Sequence, residues 1–174
     1  RYTNIGVFKN NIIRHLSSHP YGGENINANI TEKLGITHTE AERHKRKCNM
    51  YSRSCDKNVS LIIESELRQI IIEIKKIIQS FLYSKNQEID SIILAGGTSL
   101  LPGIHKYFQS HLRQNVELRN PLKRLDISDN YKKNKRFIFF GNVLGLAMRG
   151  LSSDPINGRI NILQGARQYS YLKK

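Results

Sequence analysis

The residue types best suited to chemistry lie in residues 92–103, IILAGGTSLLPG, where an apolar run leads into Gly96 and Gly97. Adjacent glycines carry no Cβ, so a ligand can lie flat against the backbone. The run predicts a buried parallel strand, and a helix follows with Pro102 suited to its first position. Ligands bind beside the carboxyl ends of strands in α/β sheets. The segment is therefore a candidate ligand site, and a plain tight turn between strand and helix is the alternative.

A second group of reactive residue types is His44, Cys48 and Cys55. Their spacing matches no standard zinc pattern, and the sequence offers no fourth ligand nearby, so we predict no metal site. Cys48 and Cys55 can pair with each other. We nevertheless expect free thiols, because two cysteines in a chain of this size are more typical of a reducing compartment than of a disulfide scaffold.

The elements that would position these residues begin with a β-hairpin over residues 4–19, turned at Asn10 and Asn11. Apolar residues four apart then predict a helix over residues 24–34, ended by Gly35. A second helix opens with a capping box, formed either by Thr37 with Glu40 or by Thr39 with Glu42. It runs into the basic cluster 43–47, and residues 48–57 read as a loop.

The most periodic segment covers residues 58–84, where apolar residues recur at spacings of three and four. This predicts one long helix. The width of the apolar stripe favours a helix packed on a sheet, and a coiled-coil seam is the alternative.

The rest of the chain predicts alternating strands and helices. We expect strands at 89–95 and 116–118, a helix at 104–112, a surface loop at 122–136, a buried helix at 137–151 and a last strand at 160–163. This order predicts an α/β or α+β fold with a small mixed sheet and flanking helices.

Composition limits the choice of partners. The 174 residues include 28 Lys and Arg against 14 Asp and Glu, which gives a net charge of +14. This excess favours an anionic partner, such as nucleic acid, a membrane face or a nucleotide, although a solvated basic surface explains it equally well. No apolar run is long enough to span a bilayer. The chain opens without Met or a signal peptide, so we expect a fragment of a longer protein.

Several motifs, in order, resemble the actin-like ATPases, in particular the branch of the pilus assembly protein PilM and the cell-division protein FtsA. GGTSLLPG at 96–103 resembles their adenosine motif, and YGG at 21–23 resembles the end of the hairpin after their second phosphate loop. EAERHKR at 40–46 and NVLGLAMRGL at 142–151 resemble two of their helices. INILQG at 160–165 is similar to the end of the cytoplasmic domain of type II secretion protein L. PilM and secretion protein L are nearer than FtsA.

The resemblance implies an actin-like (ribonuclease H-like) subdomain over residues 1–165, followed by a basic tail at 166–174. It implies ATP as the ligand, with Mg²⁺ in the full-length protein. Both phosphate loops of the family would precede the hairpin and have no counterpart here, so no hydrolysis is expected from this segment alone. The resemblance implies these nucleotide-binding residues: Gly22, Gly23, Asn25, Glu42, Lys45, Gly96, Gly97 and Thr98.

The function implied is a scaffold module of type IV pilus or type II secretion machinery. The resemblance implies a cytoplasmic protein, peripheral to or anchored in the inner membrane, that recruits an inner-membrane assembly protein. An anionic membrane surface and further copies of the chain are possible partners, and nucleic acid is the less favoured one. The alternatives are half of an ATPase or phosphotransferase domain, or an FtsA-like cell-division protein.

Overall fold

The computed structural model describes residues 2–10, 12–52, 54–124, 128 and 140–151. The expected strand at 160–163, most of the surface loop at 122–136 and the basic tail lie outside the described residues. The elements follow one another as two strands, three helices, a strand, a helix, a strand and a helix. This is the predicted order, and it confirms the mixed α/β fold class.

The chain opens with the predicted β-hairpin, β1 (Thr3–Lys9) and β2 (Ile12–His19), paired antiparallel. Asn10 takes the left-handed conformation at the turn, with φ of 51°, which asparagine tolerates better than most residues. The outer face of the hairpin is apolar and exposed: the Phe8 ring lies over Gly6 and beside Leu16.

Two capped helices follow the hairpin. α1 (Gly23–Leu34) ends at Gly35, whose φ of 64° is the left-handed conformation predicted for a helix-terminating glycine. α2 (His38–Lys47) begins with the Thr37–Glu40 capping box, so the structure selects the first of the two predicted boxes. Each partner satisfies a backbone N–H of the other, at 3.3 Å and 2.9 Å.

The long helix α3 (Lys57–Lys85) is the centre of the core. Asp56 caps it by accepting from the backbone N–H groups of Asn58 and Val59. The predicted stripe faces inward, with Ile63 and Leu67 almost fully buried. The stripe packs against α1, α2 and α4 (Ile104–Leu112). α3 is therefore a core helix, as predicted, but it packs chiefly against helices and not on a sheet.

β3 (Ile92–Leu94) and β4 (Val116–Leu118) pair in parallel, as predicted. The described strands form two sheets of two strands each, where the sequence suggested one sheet. A groove of about 610 Å³ separates β1 from β3, and apolar side chains of α3 line it. The prediction of a fully buried strand is wrong, because Ile93 is 49% exposed.

The last described helix is α5 (Gly141–Leu151), which begins later than the predicted 137–151. Its predicted burial is also wrong: Val143 is 61% exposed and Met148 53% exposed. The apolar composition predicted a buried position, but the described part of the fold places nothing over these two side chains. No helix among the described residues combines the length and the apolar composition that a membrane span needs.

The loop after α2 corrects the expectation of free thiols. Cys48 and Cys55 form a disulfide, with Cα atoms 4.8 Å apart. Cys48 ends α2 and is fully buried, and the chain turns at once toward α3, which brings the two cysteines together. The disulfide closes a short loop, whose Met50 N–H donates to the carbonyl oxygen of Pro102 at 2.8 Å.

Candidate functional site

The amino end of α1 forms the first wall of the site. Gly22 is buried in extended backbone, and Gly23 opens the helix. A Cβ on residue 23 would lie 2.6 Å from Thr98 Oγ1 and 3.5 Å from Lys45 Nζ. The first separation is too short for any real contact, so glycine is required here if Thr98 is to approach this closely. Two sequence-distant segments therefore meet at Gly23.

Lys45 is the buried cation of the site. Its side chain is only 7% exposed, although it belongs to the basic cluster 43–47. Its Nζ donates to the carbonyl oxygen of Gly23 at 3.0 Å and forms an ion pair with Glu42 Oε2 at 2.5 Å. A buried ammonium needs such partners, because its transfer from water is otherwise costly. Lys45 thus connects α2 to the start of α1.

Glu42 accepts hydrogen bonds at both carboxylate oxygens. Oε2 accepts from Lys45 Nζ and from Asn27 Nδ2, the latter at 2.7 Å, and Oε1 accepts from Arg46 Nε at 2.6 Å. Burial raises the pKa of the Glu42 carboxyl, but these three hydrogen bonds outweigh that effect and lower it to about 2. Glu42 is therefore an anion and a hydrogen-bond acceptor at neutral pH.

The two glycines after β3 form the opposite wall. Gly96 has φ of 86°, which only glycine adopts easily, and an added Cβ would meet nothing within 4 Å. A short 3-10 helix, Gly97–Leu100, follows directly, and Ser99 Oγ donates to the carbonyl oxygen of Gly96 at 2.6 Å. The Cα of Gly96 thus faces open space where a side chain would be, and its carbonyl oxygen is held by the Ser99 hydroxyl.

The helix predicted at 104–112 is confirmed, but the position suggested for Pro102 within it is not. α4 starts at Ile104 with Gly103 as its N-cap, so Pro102 is not its first residue. The first N–H groups of α4 are therefore not those beside Gly96. Gly103 has φ of 74° and lies against Asn49 and Tyr51 of the disulfide loop, where a Cβ would clash. The disulfide loop thus packs against the end of this turn.

The structure brings together Gly23, Glu42, Lys45 and Thr98. Gly22 and Thr98 also line the groove between β1 and β3. Among the other predicted residues, Asn25 Oδ1 is buried without a hydrogen-bond partner among the described residues, and Gly97 is exposed.

Asn27 is a residue of this cluster that the sequence reasoning missed. It lies one helical turn after Gly23 on the buried face of α1 and contacts Glu42 directly. A polar residue between the apolar positions Ile26 and Ile30 is the signal that could have revealed it. Such a residue is rarely buried without a specific partner.

Fold comparison places these elements in a known class. The chain superposes on the "PilM-PilN type IV pilus biogenesis complex" with a TM-score of 0.70 and 20% identity, over 87% of this chain and 43% of that one. It also superposes on the ethanolamine utilization protein EutJ from Carboxydothermus hydrogenoformans, with a TM-score of 0.52 and 21% identity, over 67% of this chain and 39% of that one. The fold is that of the actin-like ATPases, and the chain spans less than half the length of either structure.

Sequence comparison identifies the family within that class. The family model of the type IV pilus assembly protein PilM matches residues 1–151. The chain therefore belongs to the PilM family, which confirms the resemblance found in its motifs. A search of curated protein sequences finds no match.

Proposed function

We propose that this chain is the nucleotide-binding part of an actin-like scaffold protein in type IV pilus assembly, with ATP as its ligand. The observation that carries the proposal is the meeting of Gly23, Lys45 and Thr98, which come from three separate elements. An anionic ligand with sugar hydroxyls requires a cation for its charge and a hydrogen-bond acceptor for its hydroxyls. The cluster supplies both, as a buried ammonium and an ionised carboxylate, beside glycine backbone.

The residues of the cluster fit a nucleotide. Glu42 retains acceptor capacity for sugar hydroxyls on a carboxylate that is 29% exposed. The Lys45 stem supplies apolar surface for a base, and its ammonium supplies positive charge. Asn25 and Asn27 each hold a buried side-chain oxygen without a hydrogen-bond partner among the described residues. Gly22, Gly96 and Gly97 allow close approach to the backbone.

The same residues do not fit Mg²⁺. Magnesium is bound through carboxylate oxygens and water in octahedral geometry. Glu42 is engaged by two cations, and Glu24 is paired with His38 at 2.6 Å. Within the described ranges, no group of three or more His, Cys, Asp or Glu residues is arranged to hold a metal. We therefore derive no step through magnesium from this chain.

A catalytic role for Glu42 is not supported. A general base is most effective with a pKa near the working pH, whereas the pKa of Glu42 is about 2. We therefore propose nucleotide as a conformational ligand and assign no catalytic residue. The ATPase, phosphotransferase, secretion and cell-division alternatives remain, and the family match favours pilus assembly.

Calorimetric titration with ATP tests the proposal. Lys45→Met keeps much of the stem and removes the charge, so we expect at least about tenfold weaker binding. Lys47→Met is the matched control, because Lys47 is exposed on the same helix and the substitution changes the net charge equally. Absence of ATP binding by the parent protein, or equal losses in the two variants, would overturn the nucleotide assignment.

The proposed setting is the cytoplasmic face of the inner membrane, with an inner-membrane pilus assembly protein as partner. One solved structure that shares this fold is a complex of PilM with PilN, and the net charge of +14 suits an anionic leaflet. We expect co-purification with the PilN protein of the same genome and binding to anionic but not zwitterionic vesicles. Salt-sensitive binding to DNA with no vesicle binding would contradict this setting.

A further inference from the structure

Asn27 is the buried polar residue in the contact between α1 and α2. Its side chain is 2% exposed, and its Nδ2 donates to Glu42 Oε2 at 2.7 Å. The orientation of the amide follows from chemistry, because an ionised carboxylate can only accept hydrogen bonds. Nδ2 therefore faces Glu42, and Oδ1 is the atom left without a partner among the described residues.

His38 does not compete for the same amide. Its Nε2 lies 3.5 Å from Asn27 Nδ2 but only 2.6 Å from Glu24 Oε1. Glu24 can only accept when ionised, so His38 Nε2 carries a proton and is not free to accept from Asn27. The hydrogen bond from Asn27 is therefore committed to Glu42.

The three donors around Glu42 differ in where they come from. Lys45 and Arg46 lie on α2 itself, three and four residues further along, and Arg46 is 72% exposed. Asn27 belongs to the neighbouring helix and approaches from the α1 side. Of these three donors, it is the one that holds the carboxylate toward α1 and the Gly23 end of the cluster. Without it, the two cations of α2 would determine the rotamer.

We propose that Asn27 is a positioning residue for the sugar subsite, holding the Glu42 carboxylate where it accepts hydrogen bonds from the hydroxyls of a ribonucleotide. This rests on the nucleotide-binding function proposed above. Asn27 thereby sets the preference for a ribose over a 2′-deoxyribose, since a site built to accept from a hydroxyl discriminates against the analogue that lacks it.

The test compares ATP with 2′-deoxy-ATP in calorimetric titrations of the protein expressed from its complete gene. Asn27→Leu removes the donor at similar size. We expect the preference for ATP over 2′-deoxy-ATP to fall by about tenfold, mainly through weaker ATP binding. Asn27→Ala repeats the measurement if Asn27→Leu does not fold.

Asn29→Leu is the matched control. Asn29 lies on the same helix and donates to another carboxylate, Glu66 Oε1, at 2.6 Å, so its loss removes an equivalent hydrogen bond outside the cluster. We expect no change in sugar preference there. Equal effects of Asn27→Leu and Asn29→Leu would reduce Asn27 to a structural residue and overturn the inference.

A second readout separates the inference from the proposed function. Combined with Glu42→Gln, Asn27→Leu should have little further effect on sugar preference, because both substitutions act through one carboxylate. If the parent binds no ATP, the proposed function fails. If the parent binds ATP with a sugar preference that Asn27→Leu leaves intact, the inference alone fails.

Discussion

Gly23 shows at the residue scale how the absence of a side chain permits a contact between distant segments. Thr98 Oγ1 occupies the space that a Cβ on residue 23 would need, at 2.6 Å from its ideal position. We expect Gly23→Ala to lower the free energy of unfolding by about 1–3 kcal/mol, since the new methyl group displaces Thr98. Urea unfolding followed by circular dichroism measures this change.

Two further variants make that measurement specific. Gly141→Ala adds a methyl group in open space at the start of α5, so it should not destabilise the protein. Thr98→Ala combined with Gly23→Ala should recover part of the loss, because the clashing hydroxyl is gone. If the two substitutions change the free energy of unfolding additively, the contact between residues 23 and 98 is not the cause of the destabilisation.

Glu42 makes stability depend on pH. Its ordinary pKa of 4.5 falls to about 2 in the folded protein, so its contribution is complete above about pH 4.5 and is lost as pH falls toward 2. Discounted for partial exposure, the contribution is about 1–2 kcal/mol. Glu42→Gln should reduce the dependence of the free energy of unfolding on pH between roughly pH 5 and 2, the range that linkage predicts. Glu32→Gln, on exposed surface, is the matched control, and an equal change in both variants would contradict the prediction.

At the element scale, local signals in the sequence were enough to place most helices and turns. The Thr37–Glu40 capping box, the left-handed Gly35 and the left-handed Asn10 act through neighbours within a few residues. Such interactions depend little on the rest of the fold, so their sequence signatures are reliable. The bounds of α4 were predicted correctly, but the 3-10 helix before it was missed, because it has no comparable signature.

The disulfide loop gives a prediction at this scale. The Cys48–Cys55 bond closes a loop that contacts the turn at Pro102. Reduction should lower the free energy of unfolding by about 2 kcal/mol, because the unfolded chain regains the freedom of a short loop. Urea unfolding with and without reductant measures this effect. A Cys55→Ser variant should be insensitive to reductant, and equal midpoints for the oxidised and reduced parent would contradict the prediction.

At the scale of the whole molecule, one core joins both sheets. Buried residues of α1, α3 and α4 form a single cluster, and Ile5 of β1 and Ile92 of β3 pack against it. We therefore expect one cooperative unfolding transition despite the groove between the sheets. Circular dichroism and tyrosine fluorescence, in a chain without Trp, should give the same midpoint. Separate transitions would show that the hairpin unfolds independently.

Burial was the property that the sequence predicted least well. Apolar composition suggested buried positions for Ile93 and Val143, yet both are substantially exposed. Conversely, Lys45 lies in the basic cluster 43–47, whose composition gives no sign of burial, yet it is buried. Whether a side chain is covered depends on which elements pack over it, and periodicity along one element carries no information about its neighbours.

The sequence by itself determined the element order, the caps, the core stripe of α3 and the family, because these depend on local propensity, short-range hydrogen bonds and ordered motifs. It also proposed Glu42 and Lys45 as site residues through that family resemblance. Only the tertiary structure decided that Lys45 meets Gly23 beside Thr98, that Asn27 contacts Glu42 and that the two cysteines are bonded. The physical reason is that these contacts are made between elements, so they exist only once α1, α2 and the turn after β3 have packed together.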